Sequence, residues 1–413
     1  MATQLPTVEQ LIPESRTAAL NTILDGLRTA PVARPFAAER VDFVADLSRA
    51  LAKRGRGLPE TQSLAFWMRR AELVRLASDF GAQGSDEVLL MPRGTVFHVP
   101  PANVDTLFVY SLVLSLLAGN RNIVRLSSRA TDQSHVILNT LAEVLARHPE
   151  VAAGTVMVSY GHEDAITAAI SDQCDTRIIW GGDGAVNAIR RVPLPVHATE
   201  LTFPDRFSLA AIGAGAYAAL AAADRNDLAE KFFNDAYWFD QLGCSSPRLL
   251  AWVGDGGASA AEDLAGDFHG RVRAVIERKG YAVDTSAAIA KLGQSMRSII
   301  DDDVVGYHRY DNTLTVIDVA EFPDARGEFC GAGMFFQLHL DSLVHLAPHV
   351  QRQDQTLSHF GLGPDELRVF AEQLCGRGID RIVPMGQALA FDRVWDGYDI
   401  LGELVRRVVV RGQ

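Results

Sequence analysis

Hydrophobic residues recur at helical spacing through roughly the first ninety positions, as in VDFVADLSRALAKRG (41–55) and SLAFWMRRAELVRLASDF (63–80). The pattern predicts a helical N-terminal layer over 1–90 that carries no visible chemistry. From Gly94 the period changes. GTVFHVP (94–100), NIVRLSS (122–128), GTVMVS (154–159), TRIIW (176–180) and VHATEL (196–201) read as short strands. Between them lie an apolar helix ending near Gly119, helices over about 131–147 and 163–171, and a helix that opens on glycines and runs through Arg191. Strands alternating with helices at this spacing predict a parallel sheet covered on both faces, and such sheets bind nucleotides at the carboxyl ends of their strands. After Ala214 a long helix runs toward Trp238. RLLAWV (248–253), a helix over about 258–279, NTLTVIDV (312–319) and MFFQLHL (334–340) then predict a second α/β domain. The tail LVRRVVVRG (404–412) reads as a strand whose edge needs a partner. The expected organisation is an N-terminal segment 1–90, a cofactor-binding domain 91–235, a catalytic domain 236–390, and a C-terminal segment 391–413 with an oligomerisation strand.

Composition narrows the classes. The chain has 413 residues, 48% apolar and 22% charged, with a formal net charge of −12. These proportions suit ordinary globular cores and exclude general disorder. An acidic chain without a basic tail lacks the clustered cations that displace phosphate counterions, so nucleic acid is not an expected partner. The longest apolar run, Leu107 to Ala118, has 12 residues, whereas a membrane span needs about 20. It predicts a buried helix, and the opening MATQLPTVEQLIPESR has no signal-peptide pattern. The four cysteines at 174, 244, 330 and 375 form no CxxC and no ligand-like spacing with His. They predict reduced thiols in a cytoplasmic protein without a metal site.

Four local patterns can carry chemistry. In PRGTVFHVPPANVDTL (92–107), Pro100-Pro101 sets an extended turn and Asn103 stands just before a helix. An Asn there either caps the helix or points its amide into a cleft as an oxyanion donor. In AGNRNIVRLSSR (118–129), Arg125, Ser127 and Ser128 lie at the carboxyl end of a strand. They suit the ribose or 2′-phosphate of a dinucleotide, or simply face solvent in an Arg-rich chain. In IIWGGDGAVNAIRR (178–191), strand, glycines and helix follow in the order that brings backbone close to a pyrophosphate, although a glycine turn after a strand is also common. In DQLGCSSPR (240–248), Cys244 has little side-chain bulk around it. Its reading is either an activated nucleophile or an inert core thiol. Glu200, near a strand end, is either a general base or one half of a salt bridge.

In this order and spacing, PRGTVFHVPPANVDTLFVYSLVLSLLAGNRNIVRLSSR, YWFDQLGCSSPR and GIDRIVPMGQALAFDRVWDGYD resemble the aldehyde dehydrogenase superfamily, and within it the LuxC-type long-chain fatty acyl-CoA reductases. The resemblance covers about residues 90–400. It implies an aldehyde dehydrogenase-like α/β fold with a parallel-sheet nucleotide-binding domain, a second α/β catalytic domain and an N-terminal helical layer. It implies Cys244 as the acyl-accepting nucleophile, with Asn103 and the Cys244 backbone N–H as oxyanion donors and Glu200 as the matching carboxylate. Val99, Pro100, Arg125, Ser127, Ser128, Gly181, Gly182, Gly184 and Glu328 are the implied cofactor contacts. Two departures stand out: Glu200 is followed by Leu201-Thr202-Phe203 rather than a glycine pair, and GEFCGAG (327–333) only faintly echoes the family's ribose clamp.

The expected reaction is reduction of a fatty acyl-CoA, or another activated acyl thioester, to the aldehyde through an acyl-S-Cys244 intermediate. NADPH is the expected cofactor because Arg125, Ser127 and Ser128 can pair a 2′-phosphate; NADH is the alternative. The acyl group can arrive on CoA, on a carrier protein or from an acyl-activating enzyme, and the tail strand suggests a homo-oligomer. Two other readings stay open: a hydrolytic aldehyde dehydrogenase in which Glu200 activates water, and a non-catalytic acyl-binding subunit.

Overall fold

A computed structural model describes residues 6–101, 104–128, 131–254, 257–301, 303–323, 326 and 329–412. The chain divides into two compact units, Met1–Pro204 with Phe391–Gln413, and Asp205–Ala390.

In the first unit, β1 (Thr7–Ile12) and β2 (Arg16–Ala19) form an antiparallel hairpin, and β3 (Val88–Pro92) stands outside the main sheet. Then come β4 (Thr95–Val99), β5 (Arg121–Leu126), β6 (Thr155–Ser159), β7 (Thr176–Trp180) and β8 (Thr199–Phe203). The sheet order is β2-β1-β6-β5-β4-β7-β8. The last five strands are parallel, and β1 joins β6 antiparallel. β4, β6 and β7 are buried at every position, as a sheet covered on both faces requires. The hairpin is an addition to the helical layer read from the sequence. Val8, Gln10 and Ile12 face inward while Thr7 and Glu9 face out, a period-two pattern short enough to be lost among the helices that follow.

Several of the motifs quoted from the sequence hold this unit together. At Gly119, with φ +90°, a Cβ would run into the carbonyl oxygen of Ala33. Next to it, buried Asn120 accepts from the Gly94 N–H (3.0 Å) and donates to the Leu404 carbonyl (3.0 Å), pinning the C-terminal segment to the sheet. Fully buried His98 bonds Ser111 through Nδ1 (2.8 Å) and Asn122 Oδ1 through Nε2 (3.0 Å). Because Asn122 Oδ1 only accepts, Nε2 carries the proton and the ring is neutral. Burial pushes its pKa down to about 4. Phe391, Trp395 and Tyr398 close an aromatic cluster with Trp67, Tyr110 and Phe203. The tail strand Val405–Val409 pairs antiparallel with β3. The described residues include no helix long and apolar enough to cross a membrane.

In the second unit β9 (Phe207–Gly213), β10 (Pro247–Val253), β11 (Val304–Arg309), β12 (Thr315–Val319), β13 (Met334–Leu340), β14 (Asp354–Phe360) and β15 (Arg381–Pro384) pair in the order β11-β12-β13-β10-β9-β14-β15. All neighbours are parallel except β11 and β12. Alternation along β10 builds a core on each face: Leu250 and Trp252 pack with Phe232, Phe268 and Phe335, while Leu249, Ala251 and Val253 pack with Phe336 and Phe370. The long helix expected after Ala214 is two helices, Ala214–Ala218 and Ala222–Tyr237, and a further helix spans Thr285–Asp301. Near the end of Ala222–Tyr237, the buried Asp235 carboxylate accepts from the N–H groups of Gly386 (2.6 Å) and Ala388 (2.9 Å); burial nonetheless pushes its pKa up to about 7.

Candidate active site

In the first unit, the carboxyl ends of β4, β5 and β7 converge on a cavity of about 400 Å³. Val99 and Pro100 reach it from β4, Arg125, Ser127 and Ser128 from β5, and Gly181 and Gly182 from β7. Gly181 has φ +152°, which a side chain rarely adopts, and its N–H donates to the Phe203 carbonyl (3.1 Å). The turn hands the chain to Gly182, the N-cap of helix Asp183–Arg190. A glycine N-cap leaves the helix's first N–H groups close to whatever fills the cavity. The Arg125 guanidinium lies 4.7 Å from the centre of the Tyr160 ring and donates to the Gly161 carbonyl, so it is held at the rim. A second cavity of about 360 Å³ shares Pro100, Pro101, Ser127 and Ser128 and extends toward Glu9 and His135. Gly184 sits in the first turn of the helix and does not line the cavity. Asn103 and Glu328 lie outside the described residues.

Glu200 is not brought to this cavity. It is the second residue of β8, at the amino end of the strand, in register with Arg177 of β7. Its Oε2 accepts from Arg177 Nε (2.7 Å) and Nη2, and its Oε1 accepts from Arg190 Nε (3.1 Å). Arg177 is buried in β7, so removing its carboxylate would strand a buried cation. Of the two sequence readings of Glu200, this geometry is that of the salt bridge.

In the second unit, Cys244 lies in the loop before β10, at the amino end of the sheet. Helix Ala222–Tyr237 passes into a 3₁₀ turn, Trp238–Gln241, in which Phe239, Asp240 and Gln241 have φ of 55°, 54° and 64°. Three successive non-glycine residues in left-handed geometry cost about 1–3 kcal/mol each, so the surroundings must enforce them. The fully buried Gln241 amide does so with four bonds to backbone. Its Nε2 donates to the carbonyls of Pro247 and Met334 (both 2.9 Å), and its Oε1 accepts from the N–H groups of Gly333 (2.9 Å) and Met334 (3.1 Å). The Cys244 carbonyl accepts from Ser208 Oγ (2.7 Å). Ser245 and Ser246 are buried beneath the loop, and Ser245 Oγ bonds Gln355 (3.3 Å) and Thr356 (3.2 Å). Cys244 itself is half-buried and in no disulfide.

The other thiols differ. Cys174 is buried and its pKa is pushed up to about 12. Cys375 is an exposed left-handed C-cap. Cys330 is half-buried, its pKa is raised by burial, and its Sγ lies 3.6 Å from Met334 Sδ.

A family model described as acyl-CoA reductase (LuxC) matches residues 80–407. The chain belongs to this family. It is 28% identical over 174 residues to the long-chain acyl-protein thioester reductase 2 of Photobacterium leiognathi, covering 42% of this chain and 35% of that protein. It is 22% identical over 330 residues to the long-chain acyl-protein thioester reductase of Photorhabdus laumondii, covering 79% of this chain and 65% of that protein. The match to these LuxC relatives therefore spans one third to two thirds of their lengths. Aldehyde dehydrogenase 21 from Physcomitrella patens, solved with succinate, superposes with a TM-score of 0.66 at 12% identity over 98% of this chain and 94% of that one. The LuxC-family chain thus has an aldehyde dehydrogenase-like α/β fold.

Three residues of the LuxC-family chain escaped the sequence reading. Gln241, three positions before Cys244, had no signal beyond its neighbourhood. Arg177 did: a cation inside TRIIW needs a buried counter-charge. Arg248, the last residue of the Cys244 motif, proves to be half-buried, with its guanidinium 4.2 Å from the centre of the Phe329 ring.

Proposed function

We propose that this chain reduces an activated fatty acyl thioester to the aldehyde with NADPH, through an acyl-S-Cys244 intermediate. The observation that carries the reading is the Cys244 loop, a half-buried thiol on a strained turn clamped by Gln241, in a chain of the LuxC family. The Cys244 thiolate attacks the thioester carbonyl, the donor's thiol leaves, and the acyl group stays on Sγ. Asn103 is the proposed oxyanion donor, a role worth about 10²–10³ in rate at known oxyanion holes. When bound, the nicotinamide supplies a hydride that, with one proton from solvent, releases aldehyde and regenerates the thiol.

The first-unit cavity fits a dinucleotide in its donor set. Gly181 and Gly182 permit close backbone approach at a helix N-terminus, Val99 and Pro100 form a wall, and Arg125 with Ser127 and Ser128 offers donors to a 2′-phosphate. The Arg125 cation is the ground for preferring NADPH over NADH. Gly184 contributes to the same turn in this reading, and Glu328 contacts the nicotinamide ribose. A hydrolytic dehydrogenase needs a carboxylate available to activate water, and Glu200, its only proposed candidate, is bound on both oxygens by arginines. The acyl donor in this proposal is acyl-CoA, an acyl-carrier protein or an acyl-activating enzyme, in the cytoplasm. A homo-oligomer is supported by Leu89, Met91, Val408 and Val409, which stay exposed on the two-stranded sheet of β3 and the tail strand. Light scattering that shows a monomer at micromolar concentration overturns that part.

The deciding experiment is intact-mass spectrometry after incubation with long-chain acyl-CoA or acyl-carrier protein, nicotinamide withheld, beside NADPH consumption across an acyl-CoA panel. The expected result is one acyl adduct, mapped to Cys244 and absent in Cys244→Ala, with aldehyde forming once NADPH is added. An unmodified Cys244 overturns the proposal and leaves an acyl-binding subunit.

A further inference from the structure

Where Cys244 sits creates an electrostatic problem. Its loop follows helix Ala222–Tyr237 and the 3₁₀ turn Trp238–Gln241, so it lies past a helical carboxyl end. Cys244 is followed by strand β10 rather than by a helix N-terminus, the place where activated cysteines often stand. The residues from Leu242 to Pro247 carry no charge of their own. A thiolate at position 244 needs a cation from elsewhere.

Two cations, buried Lys291 and half-buried Arg248, lie in this part of the second unit. Lys291 Nζ donates to the carbonyls of Asn312 (2.6 Å) and Ala332 (2.7 Å), and the thiol whose charge acts on it is Cys330. Arg248 is different. It opens β10 four residues after Cys244, and its guanidinium lies 4.2 Å from the centre of the Phe329 ring. Its Nε is buried and has no hydrogen-bond partner. Burial lowers its pKa to about 10, opposed by the charges of Asp205, Cys244 and Cys330. A buried donor without an acceptor is costly, and an arginine does not shed its proton to escape that cost. The segment carrying Phe329 is fixed against the Cys244 loop on its own account: the Ala332 N–H donates to the Asp240 carbonyl (2.9 Å), and at Gly331, with φ +68°, a Cβ would collide with that same carbonyl. The guanidinium is therefore held in place by its ring and cannot swing to solvent without giving up that contact.

We infer that Arg248 is a positioning residue for the thiol: its charge, fixed against Phe329, holds Cys244 as the thiolate that accepts the acyl group. The acyl-acceptor role itself rests on the function proposed above; the charge coupling does not. The proton of Cys244 goes to solvent, and no bond to Arg248 forms or breaks.

The test is peptide-resolved alkylation by iodoacetamide from pH 5.5 to 10, with neither nucleotide nor acyl donor, on the full chain and on Arg248→Gln, Arg248→Lys and Phe329→Leu. Exposed Cys375 is the internal standard for an ordinary surface thiol. The expected result is a Cys244 profile whose midpoint lies below that of Cys375. In Arg248→Gln that midpoint rises by about one pH unit and the rate at pH 7 falls about tenfold, while Cys375 is unchanged. Arg248→Lys restores most of the rate, and Phe329→Leu gives a smaller shift in the same direction. Should Arg248→Gln not fold, the lysine and leucine variants carry the comparison. A Cys244 profile that ignores Arg248, a shift shared equally by Cys375, or no recovery with lysine overturns the inference. Alkylation that follows Arg248 while no acyl adduct ever forms keeps the charge coupling and overturns the proposed function instead.

Discussion

The two units are built on sheets of the same size and nearly the same parallel pattern, yet they put their candidate chemistry at opposite ends. In the first, Arg125, the two serines and the glycine turn gather at the carboxyl ends of the strands, where a helix opens at Gly182. In the second, Cys244 precedes β10 at the amino end, after a kinked turn and before a strand rather than a helix. Phosphate can be held by backbone dipoles that the fold provides at no extra cost in side chains. A thiolate at the other end has to be supported by dedicated groups: Gln241 fixes the backbone there, and in the inference above Arg248 supplies the charge.

This division can be broken by experiment. The largest expected effect is from Cys244→Ala, which should abolish acyl adduct and lower NADPH turnover by about 10³-fold or more, while NADPH binding, read by fluorescence quenching, stays as in the wild type. A loss of binding in that variant would mean the two roles are not divided between the units.

Acid should separate the units next. His98 has a pKa lowered to about 4, so its contribution to stability is full above pH 6.5 and lost as the pH falls toward 4. That loss amounts to about 3 kcal/mol. In the second unit His269, likewise lowered to about 4 by burial, loses stability in the same window. There Asp235 works against it: with a pKa raised to about 7, it favours the folded state increasingly as the pH falls from 7 to 4. The first unit should therefore open first. Limited proteolysis at stepped pH, with cut sites mapped, should show early cleavage within residues 6–204; simultaneous cleavage of both units contradicts the assignment.

Gly181→Val should weaken NADPH binding about tenfold, because a branched side chain strains the φ +152° turn that lines the cavity proposed for the dinucleotide. Nucleotide-free acylation of Cys244 should be unaffected, the mirror of the first variant. The smallest effect is expected from Glu200→Gln. Turnover measured by NADPH oxidation should stay within about twofold, since the group acts through Arg177 and Arg190 rather than on substrate. A large fall in turnover at unchanged thermal stability would return Glu200 to the chemistry.

Much of this was legible in the sequence because the signals were local. Strands such as TRIIW and MFFQLHL are short runs rich in branched and aromatic residues, and the loops after NIVRL and IIW carry their polar residues and glycines in adjacent positions. The Cys244 motif was visible for the same reason. What stayed hidden depends on register and long-range partners. Glu200 looks like a strand-end carboxylate until the β7–β8 register sets it beside Arg177, 23 residues earlier. Gln241 looks unremarkable until Gly333 and Met334, at the start of β13, supply three of its four bonds. β9, FSLAAIG, has too few branched or aromatic residues to announce itself, yet it lies between β10 and β14 near the middle of its sheet.

The second unit is an insertion: the chain leaves the first unit at Pro204 and returns to it only at Phe391. Phe391, Trp395 and Tyr398, and the Leu404 carbonyl that Asn120 binds, all arrive after that return. On a ribosome the first unit is thus translated first but completed last, waiting with an unfilled aromatic pocket while about 190 residues of the inserted unit emerge. The insert can finish folding as soon as its own ends are out. Chaperone dependence during synthesis should accordingly fall on the half that was begun earlier.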